Sequence, residues 1–215
     1  MRPERLVLVV GTGTDIGKTW VSARLLTALR QAGVTVAARK PAQSFDPGDD
    51  RSGLDSAVLG AASGETSQTV CGPDRWYEVA MAPPMAADTL GRSPFTTADI
   101  VAELAWPAGG VEVGLVETAG GVRSPQCHDG DAVALAAALD PDLVLLVADA
   151  GLGTINAVRL SIDVLPAGTV VVLNRYDPDD QLHVQNRRWL TEQDGMTVIG
   201  LPGQEAALAA LAQGR

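Results

Sequence analysis

Short runs of apolar residues alternate along the chain with longer segments in which apolar residues recur every three or four positions. The short runs predict strands, and the periodic segments predict helices. We expect strands at residues 5–10, 34–40, 111–117, 142–149, 169–174 and 196–201. We expect helices at about 17–33, 97–105, 131–139, 154–165, 179–192 and 204–213, with a further helical stretch, DSAVLGAA, beginning at Asp55.

The predicted strands are rich in Val and Leu and show no apolar–polar alternation, as in a sheet that is covered on both faces. Strands that alternate with helices indicate a doubly wound, mainly parallel α/β sheet with helices on both faces. No internal repeat or long linker divides the chain, so we expect residues 1–215 to form a single domain. Residues 44–54 form a polar, turn-rich loop in this interpretation, and the Pro-rich segment 81–88 is irregular before a helix.

Composition narrows the classes of partner. The formal net charge is −10, which argues against a generally basic surface and therefore against a nucleic-acid partner. The most apolar later stretch, residues 132–151, is interrupted by Asp140, Pro141 and Asp142 and is too short on either side to span a membrane. We therefore expect neither nucleic acid nor a membrane as a partner.

The cysteine content indicates a reduced, cytoplasmic protein. Cys71 and Cys127 are the two cysteines, too few for a disulfide framework. Cys127 is followed by His128, a pair that suggests a metal. A structural zinc site requires about four suitably spaced ligands, so an ordinary structural role is favoured for this pair.

The segment GTGTDIGKT, residues 11–19, follows the first predicted strand and predicts a phosphate-binding loop. Its glycines allow backbone N–H groups to approach an anion, and the helix that begins near Gly17 adds its positive end. Lys18 supplies charge to the terminal phosphates, and the Thr19 hydroxyl is a candidate ligand for Mg²⁺. Thr12 stands where the usual pattern has a glycine, so this is an altered form of the loop of P-loop NTPases.

Polar residues at the ends of later strands add further candidates, because ligands of such sheets bind at the carboxyl ends of the strands. Lys40 ends an apolar strand and is a candidate second cation for a transferring phosphoryl group, with an ordinary surface lysine as the alternative. Ser44 is a hydroxyl in the same loop, although by itself such a serine is more often only a turn residue. Asn174 can donate and accept hydrogen bonds, as reading a purine edge requires, and a plain strand-ending role is its alternative.

Two carboxylates complete a candidate magnesium site with Thr19. Asp55 begins a helical stretch, where an N-cap is the alternative role. Glu117 ends an apolar strand, where burial without a partner would be costly. Hydroxyl and carboxylate oxygens, together with phosphate and water, are typical Mg²⁺ ligands. Asp149, after the fourth strand, competes for the same role.

The ordered set of motifs resembles the ATP-dependent dethiobiotin synthetases over nearly the whole chain. The resemblance rests on GTGTDIGKT, KPAQS, Asp55 followed by SAVL, VETAGG, GLGTINAVRLS and VVLN. It implies ATP-dependent carboxylation of 7,8-diaminononanoate by CO₂, through a carbamate and a carbamic–phosphoric anhydride, with ring closure to dethiobiotin. It also implies Mg²⁺ as the cofactor, release of ADP and phosphate, and a homodimer.

The resemblance implies roles for individual residues. The catalytic residues would be Lys40, Lys18 and Thr14. The metal ligands would be Thr19, Asp55 and Glu117. Substrate would be held by Ser44, and its carboxylate tail by Thr154, Ile155 and Asn156 of a second subunit. The ATP-binding set would be Asp15, Ile16, Gly17, Lys18, Thr19, Trp20, Asp55, Glu117, Thr118, Ala119, Gly120, Asn174, Arg175, Pro202 and Glu205.

Three positions depart from the family pattern. Asp15 stands where a glutamate is common, and Phe45 and Thr118 each stand where a glycine is common. The Phe45 ring is expected to narrow or alter the amine pocket.

Two other functions compete with the synthetase. A related amide-forming ligase would share the ATP site, but such chains usually carry an added glutaminase domain for which 215 residues leave no room. A nucleotide switch of the partition ATPase type would carry an extra lysine near the start of the loop, where residues 11–14 are Gly, Thr, Gly and Thr.

Overall fold

A parallel six-stranded sheet forms the centre of the structure, a computed structural model that describes residues 2–215. The strands are β1 (Arg5–Gly11), β2 (Val36–Arg39), β3 (Gln43–Ser44), β4 (Trp76–Tyr77), β5 (Val113–Glu117), β6 (Pro125–Cys127), β7 (Gly130–Asp131), β8 (Leu143–Asp149), β9 (Val170–Asn174) and β10 (Val198–Gly200). The helices are α1 (Lys18–Gln31), α2 (Asp55–Ser63), α3 (Ser67–Val70), α4 (Pro83–Thr89), α5 (Thr97–Glu103), α6 (Ala132–Leu139), α7 (Thr154–Ile162), α8 (Gln181–Glu192) and α9 (Glu205–Ala212).

The strand order in the main sheet is β10–β9–β8–β1–β5–β2, and each neighbouring pair is parallel. Strand β1 is central, with β5 on one side and β8 on the other. The chain first builds the β5–β2 side and then crosses β1 to build the other side. The predicted doubly wound parallel sheet is therefore confirmed.

Alternate side chains of β1 enter two separate cores. Leu6, Leu8 and Val10 belong to one core, which α5, α6, α7 and α8 help to fill. Val7 and Val9 belong to the other core, which is filled by α1, α2 and α9. Both faces of the sheet are thus covered by helices, which explains why the strands read as continuous apolar runs.

Most predicted elements are present with slightly different ends, and one prediction was wrong. Segment 81–88, predicted to be irregular, contains α4, a helix of seven residues. Pro83 and Pro84 lie in its first turn, where a backbone N–H has no helical acceptor and proline is well tolerated. The two-stranded pairs β3–β4 and β6–β7 were not predicted, because their strands contain only two or three residues.

The strand order brings the carboxyl ends of β1, β5 and β2 side by side. The loop after β1, Lys40 after β2 and Glu117 at the end of β5 therefore meet at one edge of the sheet. This is the edge at which open α/β sheets bind ligands. In the part of the chain that the structure describes, no helix has both the length and the apolar character needed to cross a membrane.

Candidate active site

The loop between β1 and α1 ends at Gly17, whose backbone is left-handed (φ 89°). A side chain here would be strained, and a Cβ atom would also collide with the Asn174 amide nitrogen. That nitrogen donates to the Ile16 carbonyl at 2.8 Å. The end of β9 therefore fixes the turn that leads into α1, and the Asn174 side chain contacts the loop directly.

Lys18, the first residue of α1, folds back over the loop. Its ammonium group donates to the Gly13 carbonyl at 2.9 Å. A Cβ atom on Gly11 would lie 2.9 Å from the Lys18 side chain, so the glycine is needed for this close approach. Burial, and next the positive charge of Lys40, lower the pKa of Lys18 to about 8. An anion at the loop would restore its full charge.

A cluster of charged groups lies beside the loop, in which Lys40 and Glu117 are buried and Asp55 is partly exposed. Lys40 Nζ is 2.6 Å from Asp55 Oδ2 and 2.9 Å from Glu117 Oε1, and it donates to the Thr118 carbonyl at 3.2 Å. The Lys40 side chain is 3% exposed and that of Glu117 is 0% exposed. Because an unpaired charge in such a place would be very costly, these groups stabilise one another as a unit.

The pKa values within the cluster favour its ionised form. Burial alone would lower the pKa of Lys40, but the charges of Asp55 and Glu117 outweigh it and raise that pKa above its ordinary value. Burial likewise opposes ionisation of Asp55, but Lys40 and hydrogen bonds from Lys40 and Thr19 hold the pKa of Asp55 below its ordinary value. Lys40 is therefore an ammonium group and Asp55 a carboxylate at neutral pH.

The Thr19 hydroxyl joins this cluster to the loop. Its oxygen lies 2.6 Å from Asp55 Oδ1 and 2.8 Å from Glu117 Oε1. Three hard oxygen donors thus converge at the start of α1, and they fit a magnesium ion that is also bound by phosphate and water. Asp55 is the first residue of α2, and its carboxylate bonds Thr19 and Lys40 instead of capping the helix.

Asp149, the competing acid, has other partners. Its Oδ2 atom is paired with Arg175 at 2.6 Å, and its Oδ1 atom accepts from the Gly151 N–H at 2.8 Å. Arg175 also donates to the Asp15 carbonyl at 3.0 Å. Asp149 and Arg175 therefore brace the far side of the loop, while Asp55 and Glu117 lie beside Thr19.

Ser22 is a member of the site that sequence reasoning missed. Its hydroxyl donates to Glu117 Oε2 at 2.7 Å, and the residue is fully buried. Ser22 lies one turn after Lys18 on α1, so it reaches the same edge of the sheet. One sequence signal could have identified Ser22. It is a small polar residue on the otherwise apolar face of a predicted helix, and a buried acid was predicted at the end of a neighbouring strand.

The turn after β5 is held from both sides. Thr118 is buried, and its hydroxyl donates to the Val9 carbonyl of β1 at 3.2 Å. The Gln126 side chain accepts from the Ala119 N–H at 2.8 Å and donates to the Ala119 carbonyl at 2.7 Å. Gly120 adopts a left-handed conformation (φ 64°). The threonine in place of a glycine is thus accommodated by a hydrogen bond to the neighbouring strand.

A cavity of about 770 Å³ opens in front of these groups. Ten of the residues singled out from the sequence line it: Thr14, Asp15, Gly17, Lys18, Thr19, Lys40, Ser44, Asp55, Ala119 and Gly120. Ser44 Oγ is buried and has no hydrogen-bond partner among residues 2–215, so a donor and acceptor group is available to a ligand. Charged, hydroxyl and backbone groups of five separate segments therefore face one space.

Phe45 also lines the cavity, and its ring is 5% exposed. The ring packs edge-on against Trp76, with centroids 6.2 Å apart, and the Arg51 guanidinium lies 6.0 Å from its centre. The aromatic ring thus forms a fixed wall of the cavity, anchored by β4.

Several predicted residues lie outside this cavity. The start of α7, with Thr154, Ile155 and Asn156, is not among its lining residues. Glu205 is paired with Arg24, whose guanidinium lies 5.5 Å from the centre of the half-exposed Trp20 ring. Trp20, Arg24 and Glu205 therefore form a group on the other side of α1, and Pro202 lies in the turn before α9.

Cys127 and His128 point to different partners. The Cys127 thiol is 3.2 Å from both the Thr97 hydroxyl and an Asp129 carboxylate oxygen. The His128 ring bonds Asp88 at 3.0 Å and the backbone of Phe95. These contacts give both residues structural roles around the start of α5.

A second cavity, of about 1070 Å³, lies near the β2 edge of the sheet. Its arginines are largely committed to other groups: Arg39 is paired with Glu65, Arg75 with Glu103, and Arg92 donates to the Asp74 carbonyl. Lys40 lines both cavities, but the loop after β1, Asp55 and Ser44 line the smaller one, which is therefore the better candidate for the active site.

Comparisons with known proteins agree in pointing to one family. The sequence profile of a family described as AAA domain matches residues 5–208. The ATP-dependent dethiobiotin synthetase BioD of Haloferax mediterranei is 36% identical over 199 residues, covering 90% of this chain and 82% of that protein. The protein of the same name from Mycobacterium tuberculosis is 34% identical over 213 residues, which cover 95% of this chain and 90% of that protein.

The fold is also similar to that of a solved structure with little sequence identity. The signal recognition particle receptor FtsY of Elizabethkingia anophelis matches with a TM-score of 0.55 at 15% identity, over 92% of this chain and 58% of the receptor. At this identity the likeness concerns the fold alone.

Replacement of Ser22 by alanine tests the burial of Glu117. The variant leaves a buried carboxylate oxygen without its donor, so we expect the free energy of unfolding to fall by about 1–3 kcal/mol. Urea denaturation measures this change. Ser161→Ala is the matched control, since the Ser161 hydroxyl only donates to the Ala157 carbonyl of its own helix. Equal stabilities for the two variants would contradict the proposed contact energy.

Replacement of Gly17 by alanine tests the contact between β9 and the loop. The new methyl group must displace the Asn174 side chain, so we expect ATP affinity to fall about tenfold or more, the scale of losing well-placed donors to an anion. Calorimetry with ATP measures the affinity. Gly168→Ala has a similar positive φ (83°) but open space around the Cβ position, and it should bind ATP normally. Normal ATP binding by Gly17→Ala would show that the loop tolerates the displacement.

Proposed function

Because the chain belongs to the dethiobiotin synthetase family of ATP-dependent ligases that form C–N bonds, we propose that it converts 7,8-diaminononanoate and CO₂ to dethiobiotin. ATP is the co-substrate and Mg²⁺ the cofactor. One observation carries the proposal above the others. Two lysines, the Asp55 carboxylate, the Thr19 hydroxyl and the Ser44 hydroxyl, which has no partner among the described residues, border one cavity beside the phosphate-binding loop. The fully buried Glu117 carboxylate lies behind them, bonded to Lys40 and Thr19.

The proposed reaction has three steps. One amine of the substrate attacks CO₂, loses a proton and becomes a carbamate. A carbamate oxygen then attacks the γ-phosphorus of ATP, and the bond to ADP breaks. Finally, the second amine attacks the carbonyl carbon of the mixed anhydride, phosphate leaves, and a cyclic urea forms. Since both amines belong to one bound molecule, closure is intramolecular and gains from a high effective concentration.

The second step brings two anions together, so positive charge must screen their repulsion. In our proposal the loop N–H groups and Lys18 hold the β- and γ-phosphates. Thr19, Asp55 and Glu117 would hold Mg²⁺, which when bound supplies positive charge next to the phosphoryl oxygens. The approach of the Asp55 and Glu117 carboxylates to within 2.8 Å of the Thr19 hydroxyl supports this assignment.

In this proposal Lys40 must release one of its present hydrogen-bond partners before it can contact the reacting groups. All three of its N–H donors are engaged, by Asp55, Glu117 and the Thr118 carbonyl. To stabilise the transferring phosphoryl group, Lys40 must exchange at least one of these contacts for a phosphoryl or carbamate oxygen. Its pKa, raised by the two carboxylates, ensures that it does so as a cation.

Ser44 and Thr14 are the proposed contacts of the amine and carbamate end. Both line the cavity, on opposite sides of Lys40 in the sequence, and the Ser44 hydroxyl lacks a partner within the part of the chain described. Phe45 limits the cavity next to Ser44, and we assign it the role of shaping the space for the linear substrate.

The other end of the substrate is a carboxylate. We assign its binding to the start of α7, at Thr154, Ile155 and Asn156 of a second copy of the chain, where Ile155 and Asn156 present backbone N–H groups. Two observations support this arrangement. These residues lie outside the cavity of their own chain, and the preceding Leu152 is 92% exposed, as an interface residue would be in an isolated chain.

We assign the adenine end of ATP to the opposite side of α1. Asn174 and Arg175 at the end of β9 contact the loop, and Trp20 and Glu205 lie near the start of the first and last helices. Pro202 precedes Glu205 in the same turn. We also propose that the protein works in the cytoplasm, as its low cysteine content indicates.

The proposed reaction can be tested directly. The purified protein is mixed with Mg-ATP, ¹³C-bicarbonate and 7,8-diaminononanoate, and the products are analysed by mass spectrometry. We expect labelled dethiobiotin together with ADP, and neither without ATP. ATP binding without labelled product would overturn the proposed substrate and favour the amide-forming ligase or the nucleotide switch.

A Lys40→Ala variant tests the role of the buried lysine. Loss of one charge-stabilising donor should reduce turnover about 10²-fold or more, measured as phosphate release at saturating substrates. Because the variant leaves Asp55 and Glu117 unpaired, its fold is verified by circular dichroism and ATP binding.

Lys40→Arg is the companion variant, since it keeps the positive charge between the carboxylates. A folded Lys40→Ala protein with near-normal turnover would remove Lys40 from the mechanism. Partial activity of Lys40→Arg beside an inactive Lys40→Ala would assign the effect to charge.

A further inference from the structure

Gln43 is a buried polar residue of the cavity that the proposed reaction has not used. It is the first residue of the two-residue strand β3, and its side chain is 3% exposed. It lines the same cavity as Lys40 and Ser44. The nitrogen of its side-chain amide is buried and has no hydrogen-bond partner among the described residues.

The orientation of this amide follows from its neighbour. Gln43 Oε1 accepts a hydrogen bond from the Ser56 backbone N–H at 3.1 Å, in the first turn of α2. A backbone N–H can only donate, so the amide oxygen must face Ser56 and the NH₂ group must face the other way. Gln43 therefore presents two N–H donors next to Ser44 with no acceptor in place.

An amide with two unused donors in a buried site requires an acceptor, because leaving such groups unpaired is costly. The two carboxylates of the charge cluster, Asp55 and Glu117, have oxygens that are already bonded to Lys40, Thr19 and Ser22. A ligand in the cavity can supply this acceptor, and a carboxylate-like group with lone pairs on two oxygens fits two adjacent donors.

We infer that the Gln43 amide binds the carbamate of the substrate, donating to its oxygen while Ser44 and Lys40 contact the same group. This inference rests on the proposed function, because that reaction supplies a carboxylate-like group at this end of the cavity. Gln43 is then a substrate-binding residue that orients the carbamate for attack on the γ-phosphorus. It also ties the carbamate to the start of α2, where Asp55 lies.

The experiment compares Gln43→Met and Gln43→Glu with the unaltered protein. Gln43→Met keeps the length of the side chain and removes both polar atoms. Gln43→Glu keeps an acceptor for the Ser56 N–H but replaces the donors by a negative charge. Gln213→Met is the control for the substitution itself, since the Gln213 amide donates to the Ala209 carbonyl at the end of α9 and does not line the cavity.

The decisive measurement is the affinity for 7,8-diaminononanoate with and without bicarbonate, obtained by calorimetry, together with KM values. In the unaltered protein and Gln213→Met, bicarbonate should tighten binding of the diamine. In both Gln43 variants this gain should be lost, and the KM for bicarbonate should rise about 10- to 100-fold, the scale of losing a hydrogen bond to a charged group. ATP affinity should stay within about twofold.

The possible outcomes distinguish failure of the proposed function from failure of the proposed role of Gln43. If the unaltered protein forms no labelled dethiobiotin, the proposed function and this inference are both overturned. If it forms product and the Gln43 variants keep the bicarbonate-dependent gain, only the role of Gln43 is overturned. If Gln43→Met loses ATP affinity while Gln43→Glu behaves as the unaltered protein, the amide serves only to anchor α2 through Ser56, which also overturns the inference.

Discussion

The buried carboxylate of Glu117 is the constraint on which the rest of the site depends. A strand that ends in a fully buried acid cannot fold stably unless every oxygen finds a donor or a cation. Lys40, Thr19 and Ser22 meet that need from β2 and α1. The groups that satisfy Glu117 therefore also bring Lys40, the Thr19 hydroxyl and a second acid, Asp55, beside the phosphate-binding loop.

The topology of the sheet makes this meeting possible. Because β5 lies between β1 and β2, residues that are separated by up to a hundred positions along the chain end at the same edge. Thr19 and Glu117 are 98 residues apart and in contact. Packing of two apolar cores on the two faces of the sheet fixes the strands, and polar groups with no place in those cores collect at their carboxyl ends.

The sequence predicted what depends on local pattern. Unbroken runs of Val and Leu identified the six strands of the main sheet, and the Gly-rich loop followed directly from its spacing. Helix α4 was missed because prolines usually argue against helices, although in a first turn they cost little. Lys40 and Glu117 were recognised because charge at the end of an apolar strand has few ordinary explanations, and Asp55 was recognised at the start of a helical stretch.

Other features depended on three-dimensional neighbours and were invisible in the sequence. Ser22 is one of many small polar residues in helices, and only its distance from Glu117 marks it. Gln43 became informative once the structure showed its oxygen bonded to Ser56 and its nitrogen without an acceptor. The same holds for Asp149, whose pairing with Arg175 separates it from the acids beside Thr19.

The bond from Asn174 to the Ile16 carbonyl joins residues 158 positions apart, and it has a consequence for synthesis on the ribosome. The phosphate-binding loop is encoded within the first twenty residues, yet its final turn is fixed only when β9 has entered the sheet. An emerging chain therefore carries an incomplete loop until about four-fifths of it has been translated, a fraction that follows from the position of Asn174 among the 215 residues.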